Sequence, residues 1–141
     1  LDAVSLLLGF CKNERKYKHE PIDSLEKNST IPYNDIKPKI KKLDTEYCLL
    51  TTPLFEYLIK NLHRDKKRLA ATSQIYIAKG LYRICQMSNP PAGRAGHKSQ
   101  IYFAGGIANN KIISSYLELK GVYSNKKIPR GDAGLSFGQI V

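Results

Sequence analysis

Between residues 101 and 124 the chain reads as an apolar run from Ile101 to Ala104, a Gly-Gly pair, a helix-patterned stretch, and a second short apolar run in "GVYS". Strands separated by a helix pair in parallel, because the helix carries the chain back across the sheet. No other feature restricts the fold as much. It makes the C-terminal part an α/β unit with some parallel pairing, and "PRGDAGLSFGQIV" adds a final loop and helix.

Upstream the pattern is mostly helical. Residues 2–10 predict a helix with Val4, Leu7 and Leu8 on one face and Gly9 near its end. Residues 11–33 are polar and irregular, with a helical turn around Ile22–Glu26. Two strands follow, "DIKPKIKKL" and "EYCLLT", joined by a Lys-Leu-Asp-Thr turn. In the first, Ile36, Pro38 and Ile40 alternate with Lys37, Lys39 and Lys41. The proline places that strand on a sheet edge, and its lysine face discourages pairing with other chains. "TPLFEYLIKNLHRD" predicts a helix capped by Thr52, with Pro53 at its first position and Leu54, Phe55, Leu58, Ile59 and Leu62 as its apolar stripe. A longer helix from Lys67 to about Met87 turns Ala70, Ile77, Leu81 and Ile84 inward, and "SNPPAGRAGHKS" is a loop.

Hydrophobic residues at 42% and charged residues at 25% describe a folded chain rather than a disordered tail. No apolar run approaches the ~20 residues of a membrane span. Cys11, Cys48 and Cys85 are odd in number and widely spaced, which predicts reduced thiols in a cytoplasmic protein rather than a disulfide framework. The net charge of +11 suggests nucleic acid, but the Lys and Arg residues are dispersed and lack the aromatic interleaving of a single-strand binder. Nucleic acid is therefore the weaker expectation. The chain begins at Leu1 without an initiator Met and with helix pattern from its second residue, so it reads as a piece of something longer.

Two glycine motifs carry the candidate chemistry. In "AGGIANN" a strand feeds a helix through Gly105 and Gly106. Bare backbone with unpaired N–H groups there suits a phosphate or nucleotide, but a left-handed turn followed by an Asn helix cap explains the same residues. In "PRGDAGLSFGQ", Asp132 sits between glycines at an expected helix N-terminus, either as a cap or aimed at a metal near a phosphate. His19, His63 and His97 show no metal-binding spacing, and no nucleophile–histidine arrangement is signalled.

Taken as a pair, these motifs resemble the SGGVxxN and PxDGGxxLGQ segments at the C-terminal end of the actin-like ATPase branch that contains the TsaD-like tRNA-threonylcarbamoyl transferases and the HypF hydrogenase-maturation carbamoyltransferases. "LDAVSLLLGFC…YKHEPIDSLE" resembles the HypF stretch FDAVAALLGLC…YEGxAAMxLE, and "GDAGLSFGQ" is nearer to HypF than to the TDNAAM-type ending of TsaD-like proteins. The resemblance implies an α/β fold: residues 1–141 as a single partial domain, one lobe of an actin-like ATPase (ribonuclease-H-like) fold, helix-rich with a small mixed sheet. It further implies a carbamoyltransferase whose upstream domains make carbamoyl-adenylate from carbamoyl phosphate and ATP. The carbamoyl group then passes to the C-terminal cysteine of a HypE-like acceptor, on the way to hydrogenase cyanide ligands. Asp2 matches a nucleotide-contacting Asp, Gly105 and Gly106 the backbone platform under the nucleotide, and Asn110 the motif's Asn. Asp132 matches an acidic ligand of a divalent metal whose histidine ligands lie on the N-terminal lobe, outside this chain. On this reading the chain alone is inactive, and Asp132 lies within about two helical turns of the Gly-Gly turn.

The departures are specific. Ala104 and Ala133 replace a Ser and a Gly, "TSQIYIAKG" lacks a Phe-His pair of the family, and Lys18-His19 stands where the family has Glu-Gly. Glu20, Ser24 and Glu26 are the nearby residues that offer an oxygen instead. The rival expectations are a TsaD-like lobe, with the basic charge serving tRNA, and a basic nucleic-acid-binding module.

Overall fold

Six consecutive residues, Leu69 to Gln74, are buried in one helix, so neighbours surround that helix on every side. The computed structural model describes residues 1–88 and 100–125. Its helix α4, Lys66–Ser88, is about 35 Å long and forms the axis of the fold. Asp65 starts it, its carboxylate accepting from the Lys67 and Arg68 amides at 2.8 and 3.2 Å. Ala70, Ala71, Ser73, Ala78 and Gly80 keep the helix thin enough for close approach on several sides. Around it stand α1 (Asp2–Leu8), α2 (Glu20–Lys27), the hairpin β1 (Lys39–Leu43) and β2 (Glu46–Leu50), and α3 (Thr52–Lys60). The unit β3 (Tyr102–Phe103), α5 (Lys111–Leu119) and β4 (Tyr123–Ser124) completes the described chain.

The core divides along α4. Val4, Leu8, Leu25, Leu54, Leu58, Leu69, Ala70 and Tyr76 form the larger cluster with α1, α2 and α3. Ala78, Ile113, Leu117 and Val122 form the smaller one under the βαβ unit. Leu1 and Ile77 touch both, which welds the two halves. Of the residues expected inward on α4, Ala70 is fully buried while Ile77, Leu81 and Ile84 are half-buried.

The expected parallel pairing is present: Tyr102 pairs with Tyr123 and Phe103 with Ser124. The antiparallel and parallel pairings sit in two separate two-stranded sheets, so the mixed character is divided between them among the described residues. In the hairpin, Leu43 pairs with Glu46, and Asp44 at φ 47° turns the chain in two residues, shorter than the four-residue turn expected. A short polar side chain tolerates that left-handed conformation. Lys39 and Lys41 are exposed on the outer face as expected, while Ile40 and Leu49 pair on the face toward α4. The Tyr76 hydroxyl pins the open end of the hairpin, donating to the Leu50 carbonyl at 2.7 Å and accepting from the Lys39 amide at 3.2 Å.

Two details of α3 correct the sequence reading. Thr51, not Thr52, is the N-cap residue, and it makes no side-chain cap; Pro53 in the first turn leaves fewer amides to satisfy. Ile59 is 57% exposed: Leu54 and Leu58 point into the core and Phe55 and Leu62 pack against it, while Ile59 is left outside. The loop at 89–99 and the final segment from 126 lie outside the described residues.

Residues 30–36 are tied to the α3–α4 corner by cations. The Arg64 and Arg68 guanidiniums lie 3.6 and 4.0 Å from the Tyr33 ring centre. Arg64 also donates to Asp35 at 2.7 Å, as does the Tyr57 hydroxyl at 2.6 Å. Burial, then the hydrogen bond to Asp35, pushes the Tyr57 phenol up to about 12. The Tyr57 hydroxyl, then Arg64, hold the Asp35 carboxyl below the usual carboxylate range. Folding therefore favours the Asp35 carboxylate. Its contribution is complete above the ordinary pKa near ~4 and is lost as pH falls through the lower folded value. Asp35→Asn is expected to flatten the fall in melting temperature between about pH 6 and about pH 3, measured by circular dichroism; an unchanged acid slope would count against this tie.

Gly80 marks the closest approach of α4 to the hairpin, since a Cβ there would lie 2.5 Å from Leu49 Cδ1. Gly80→Val is expected to destabilise by about 1–3 kcal/mol in urea unfolding. Leu49→Ala in the same chain should recover part of that loss, as contacting sites are non-additive.

Candidate functional site

The Gly-Gly turn is built outward from the smaller core. Ile101 and Phe103 pack against that core and fix where β3 ends. Gly105 follows at φ 102°, ψ −176°, a region that essentially only glycine occupies. Residues Gly106–Asn109 then make a single 3₁₀ turn, closed by the Ala108 amide donating to the Gly105 carbonyl at 3.0 Å. Ala108 is buried beneath it, and the Ser114 hydroxyl donates to the Ala108 carbonyl at 2.6 Å.

Asn110 ends the turn and starts α5. Its Oδ1 accepts from the Ile113 amide at 3.0 Å, the expected helix cap. Its Nδ2 donates to Gln74 Oε1 at 2.7 Å, and the residue is only 2% exposed. Both ends of the carboxamide are thus engaged inside the protein. Gln74 Nε2 donates onward to Ser29 Oγ at 2.6 Å and to the Ala70 carbonyl, and Ser29 donates to the Leu25 carbonyl. Beside this chain of bonds, Glu26 accepts from the Lys111 amide at 2.9 Å. The N-terminus of α5 is therefore satisfied from within, by Asn110 and Glu26. The exposed backbone lies one turn earlier, at Gly105–Gly106, where the first N–H groups of a helical turn have no partner inside it.

The glycines there differ in what they answer to. Of the five described glycines, Gly9, Gly105 and Gly121 have φ of 78°, 102° and 80°, and Gly80 is crowded by Leu49. Gly106 has neither reason. Its φ is not left-handed, and an added Cβ would meet nothing within 4 Å.

The other expected site residues fall elsewhere. Asp2 lies in the first turn of α1 and pairs with Arg15 at 2.9 Å, both side chains about 40% exposed. Arg15 was not singled out in the sequence, although the basic stretch "CKNERKY" holds it. Glu20 accepts from the Lys16 amide at 2.6 Å, a bond within its own segment, whereas Glu26 reaches across to α5. Asp132, and with it the expected approach of Asp132 to the Gly-Gly turn, lies outside the described residues. Among the described residues no three His, Cys, Asp or Glu side chains converge as metal ligands. No helix among them is long and apolar enough to cross a membrane. Gln74 escaped the sequence reading because a glutamine inside an amphipathic pattern carries no signal of what it will meet.

Residues 1–139 match the family described as "Carbamoyltransferase, Kae1-like Domain, second subdomain". The chain belongs to that family. A curated relative, the probable carbamoyltransferase HypF of Methanocaldococcus jannaschii, is 35% identical over 149 aligned positions. These cover all of this chain and 18% of the relative, so the chain spans under a fifth of the protein it matches. Two crystal structures share the fold. That of T. kodakarensis HypF superposes with a TM-score of 0.72 at 23% identity, covering 98% of this chain and 18% of that one. That of a full-length HypF in its phosphate- and nucleotide-bound form gives 0.78 at 22% identity, covering 97% and 18%. The subdomain is accordingly α/β and helix-rich, as the motifs implied, and its family is one of carbamoyltransferases.

Within this subdomain Asn110→Ala removes a helix cap and leaves the Gln74 oxygen buried without a donor. The expected destabilisation is about 2–3 kcal/mol, combining about 1 for the cap and about 1–2 for the orphaned acceptor. Asn109→Ala, at an exposed neighbour, should stay within about 0.5 kcal/mol by the same chemical denaturation.

Proposed function

We propose that this chain is one wall of the nucleotide cleft of a HypF-type carbamoyltransferase, with Gly105–Gly106 as the surface on which the nucleotide rests. The observation that carries the reading is Gly106. Nothing in its conformation or in the described chain around it calls for a glycine. A residue without a Cβ, on exposed backbone, suits close approach by a group from outside. The relative crystallised with phosphate and nucleotide supports the choice of ligand, since it shares this fold.

In the complete protein the ligand is ATP or carbamoyl-adenylate, which upstream domains make. The acceptor is the C-terminal cysteine of a HypE-like protein. Its thiolate attacks the carbamoyl carbon, the bond to the adenylate phosphate breaks, and AMP leaves as the thiocarboxamide forms. Within this scheme Gly105 and Gly106 bind and orient the nucleotide. Asn110 shapes their turn from inside rather than touching the ligand, because its carboxamide is fully engaged. Asp2 reaches the nucleotide only by sharing its carboxylate with Arg15. A divalent metal would be held by Asp132 together with histidines of the opposite lobe, and would neutralise phosphate charge there. The described residues hold no cluster of three metal ligands of their own. The isolated chain, as one partial domain, is inactive, and the complete protein works in the cytoplasm.

The family match favours this reading over a tRNA-modifying lobe. The dispersed cations favour it over a nucleic-acid module, since Arg15 and Arg64 are already paired with Asp2 and Asp35.

Gly106→Ala separates ligand contact from fold. In the full-length protein we expect unfolding free energy unchanged or raised by up to about 1 kcal/mol, because alanine restricts the unfolded chain without strain in the native one. ATP affinity at the site in this subdomain, resolved from the upstream ATP site by isothermal titration calorimetry, should fall roughly tenfold or more, equivalent to about 1.4 kcal/mol. Gly105→Ala should instead destabilise by about 1–3 kcal/mol through backbone strain. Unaltered ATP affinity in Gly106→Ala and in the bulkier Gly106→Val would sink the nucleotide reading.

A further inference from the structure

We propose that Gln74, in the middle of α4, is a positioning residue for the Gly105–Gly106 turn, acting on nucleotide affinity through Asn110 without touching the ligand. This rests on the reading that the turn carries the nucleotide. Gln74 is fully buried, and every polar atom of its side chain is committed. Its oxygen takes the Asn110 Nδ2 proton at 2.7 Å, and its nitrogen bridges Ser29 of the α2 end at 2.6 Å and the Ala70 carbonyl at 3.2 Å.

The geometry of the turn explains why this bond matters for position. Gly105 and Gly106 have no atoms within 4 Å of where a Cβ would stand, so on that side nothing in the described chain presses the turn into place. Its placement comes from buried Ala108, whose carbonyl the Ser114 hydroxyl holds, and from its two ends. At one end, β3 is held by a two-residue parallel pairing. At the other, the Asn110 carboxamide is fixed at both atoms, by Ile113 in α5 and by Gln74 in α4. The Ile113 bond ties the turn only to the helix that follows it. The Gln74 bond refers it to the central helix, and through Ser29 to α2. α2 also reaches α5 directly, through Glu26 and the Lys111 amide. A rotation of the Asn110 side chain would break two buried bonds at once, which is what holds a ligand-binding backbone in one arrangement.

The test uses the full-length protein, with ATP as the probe in titration calorimetry resolved into two sites, because the upstream domains also use ATP, and hydrogen exchange of the peptide spanning 103–110 read by mass spectrometry. Gln74→Met keeps the volume and removes both ends of the relay. We expect ATP Kd to rise roughly tenfold and exchange at 103–110 to accelerate. Tyr76→Phe is the control, because it loosens the same helix toward the hairpin and not toward the turn. It should leave both readouts within about twofold. If Gln74→Met fails to fold, Ser29→Ala is read in its place, with a roughly threefold rise in Kd expected.

The inference is overturned if Gln74→Met, or Ser29→Ala in its place, binds ATP as the unmodified protein does while Gly106→Val abolishes the ATP site of this subdomain and leaves the upstream one. In that case the nucleotide reading stands and the relay does not act on it. It is overturned together with that reading if Gly106→Val also leaves ATP affinity unchanged. Equal losses in Gln74→Met and Tyr76→Phe would overturn it too, since general loosening of α4 would then account for the effect.

Discussion

A carboxamide buried without partners is destabilising by a few kcal/mol, so Gln74 at the centre of α4 constrains everything around it. Its demands are met by Ser29 at the end of α2, by its own helix at Ala70, and by Asn110 at the start of α5. Three helices are thereby brought to one point by hydrogen bonds that hydrophobic packing alone does not specify. The apolar clusters on the two sides of α4 supply the burial, and the polar relay between them supplies the register. The glycine turn is the element that inherits this register, since it ends at Asn110, which is buried in the core.

The charge of the chain is handled differently on its surface. Twenty-three lysines and arginines face twelve carboxylates. Where carboxylates are placed near them, the partners are structural: Asp35 gathers Arg64 and Tyr57 at the α3–α4 corner, and Asp2 takes Arg15. Tyr33 adds an aromatic face that two guanidiniums share. Such partly exposed pairs contribute little individually, but together they attach the irregular segment before the hairpin to the helical core.

Legibility varied with the range of the interaction involved. The α1 helix with its terminal Gly9, the hairpin, α4 and the strand–glycine–helix–strand order were all readable, because each rests on periodicity or on a residue with a strong local preference. The Thr52 cap and the inward Ile59 were misplaced by one residue and by one helix face, since several neighbours fit the local rules equally well. The two-residue turn at Asp44 was shorter than expected because Lys42 and Leu43 found partners across the hairpin. Asp2 was legible as a match to a family motif, whereas its pairing with Arg15, thirteen positions on, depends on how the intervening segment returns. Glu26 read as a spare oxygen for a ligand and is instead the acceptor for the first amide of α5.

By itself the sequence pointed to the family, through "LDAVSLLLGFC", "AGGIANN" and "GDAGLSFGQ", and put Gly105 and Gly106 in a turn between strand and helix. It left open whether the Gly-Gly pair serves capping or contact. Tertiary structure decided which residues build the turn itself. Asn110 caps, Gly105 bends, and among the described glycines Gly106 alone is without an internal reason. It also decided the role of Gln74, which no local pattern foretells. The physical reason is common to both: what a side chain must satisfy, or what an absent one leaves open, depends on atoms tens of residues away that only folding brings near.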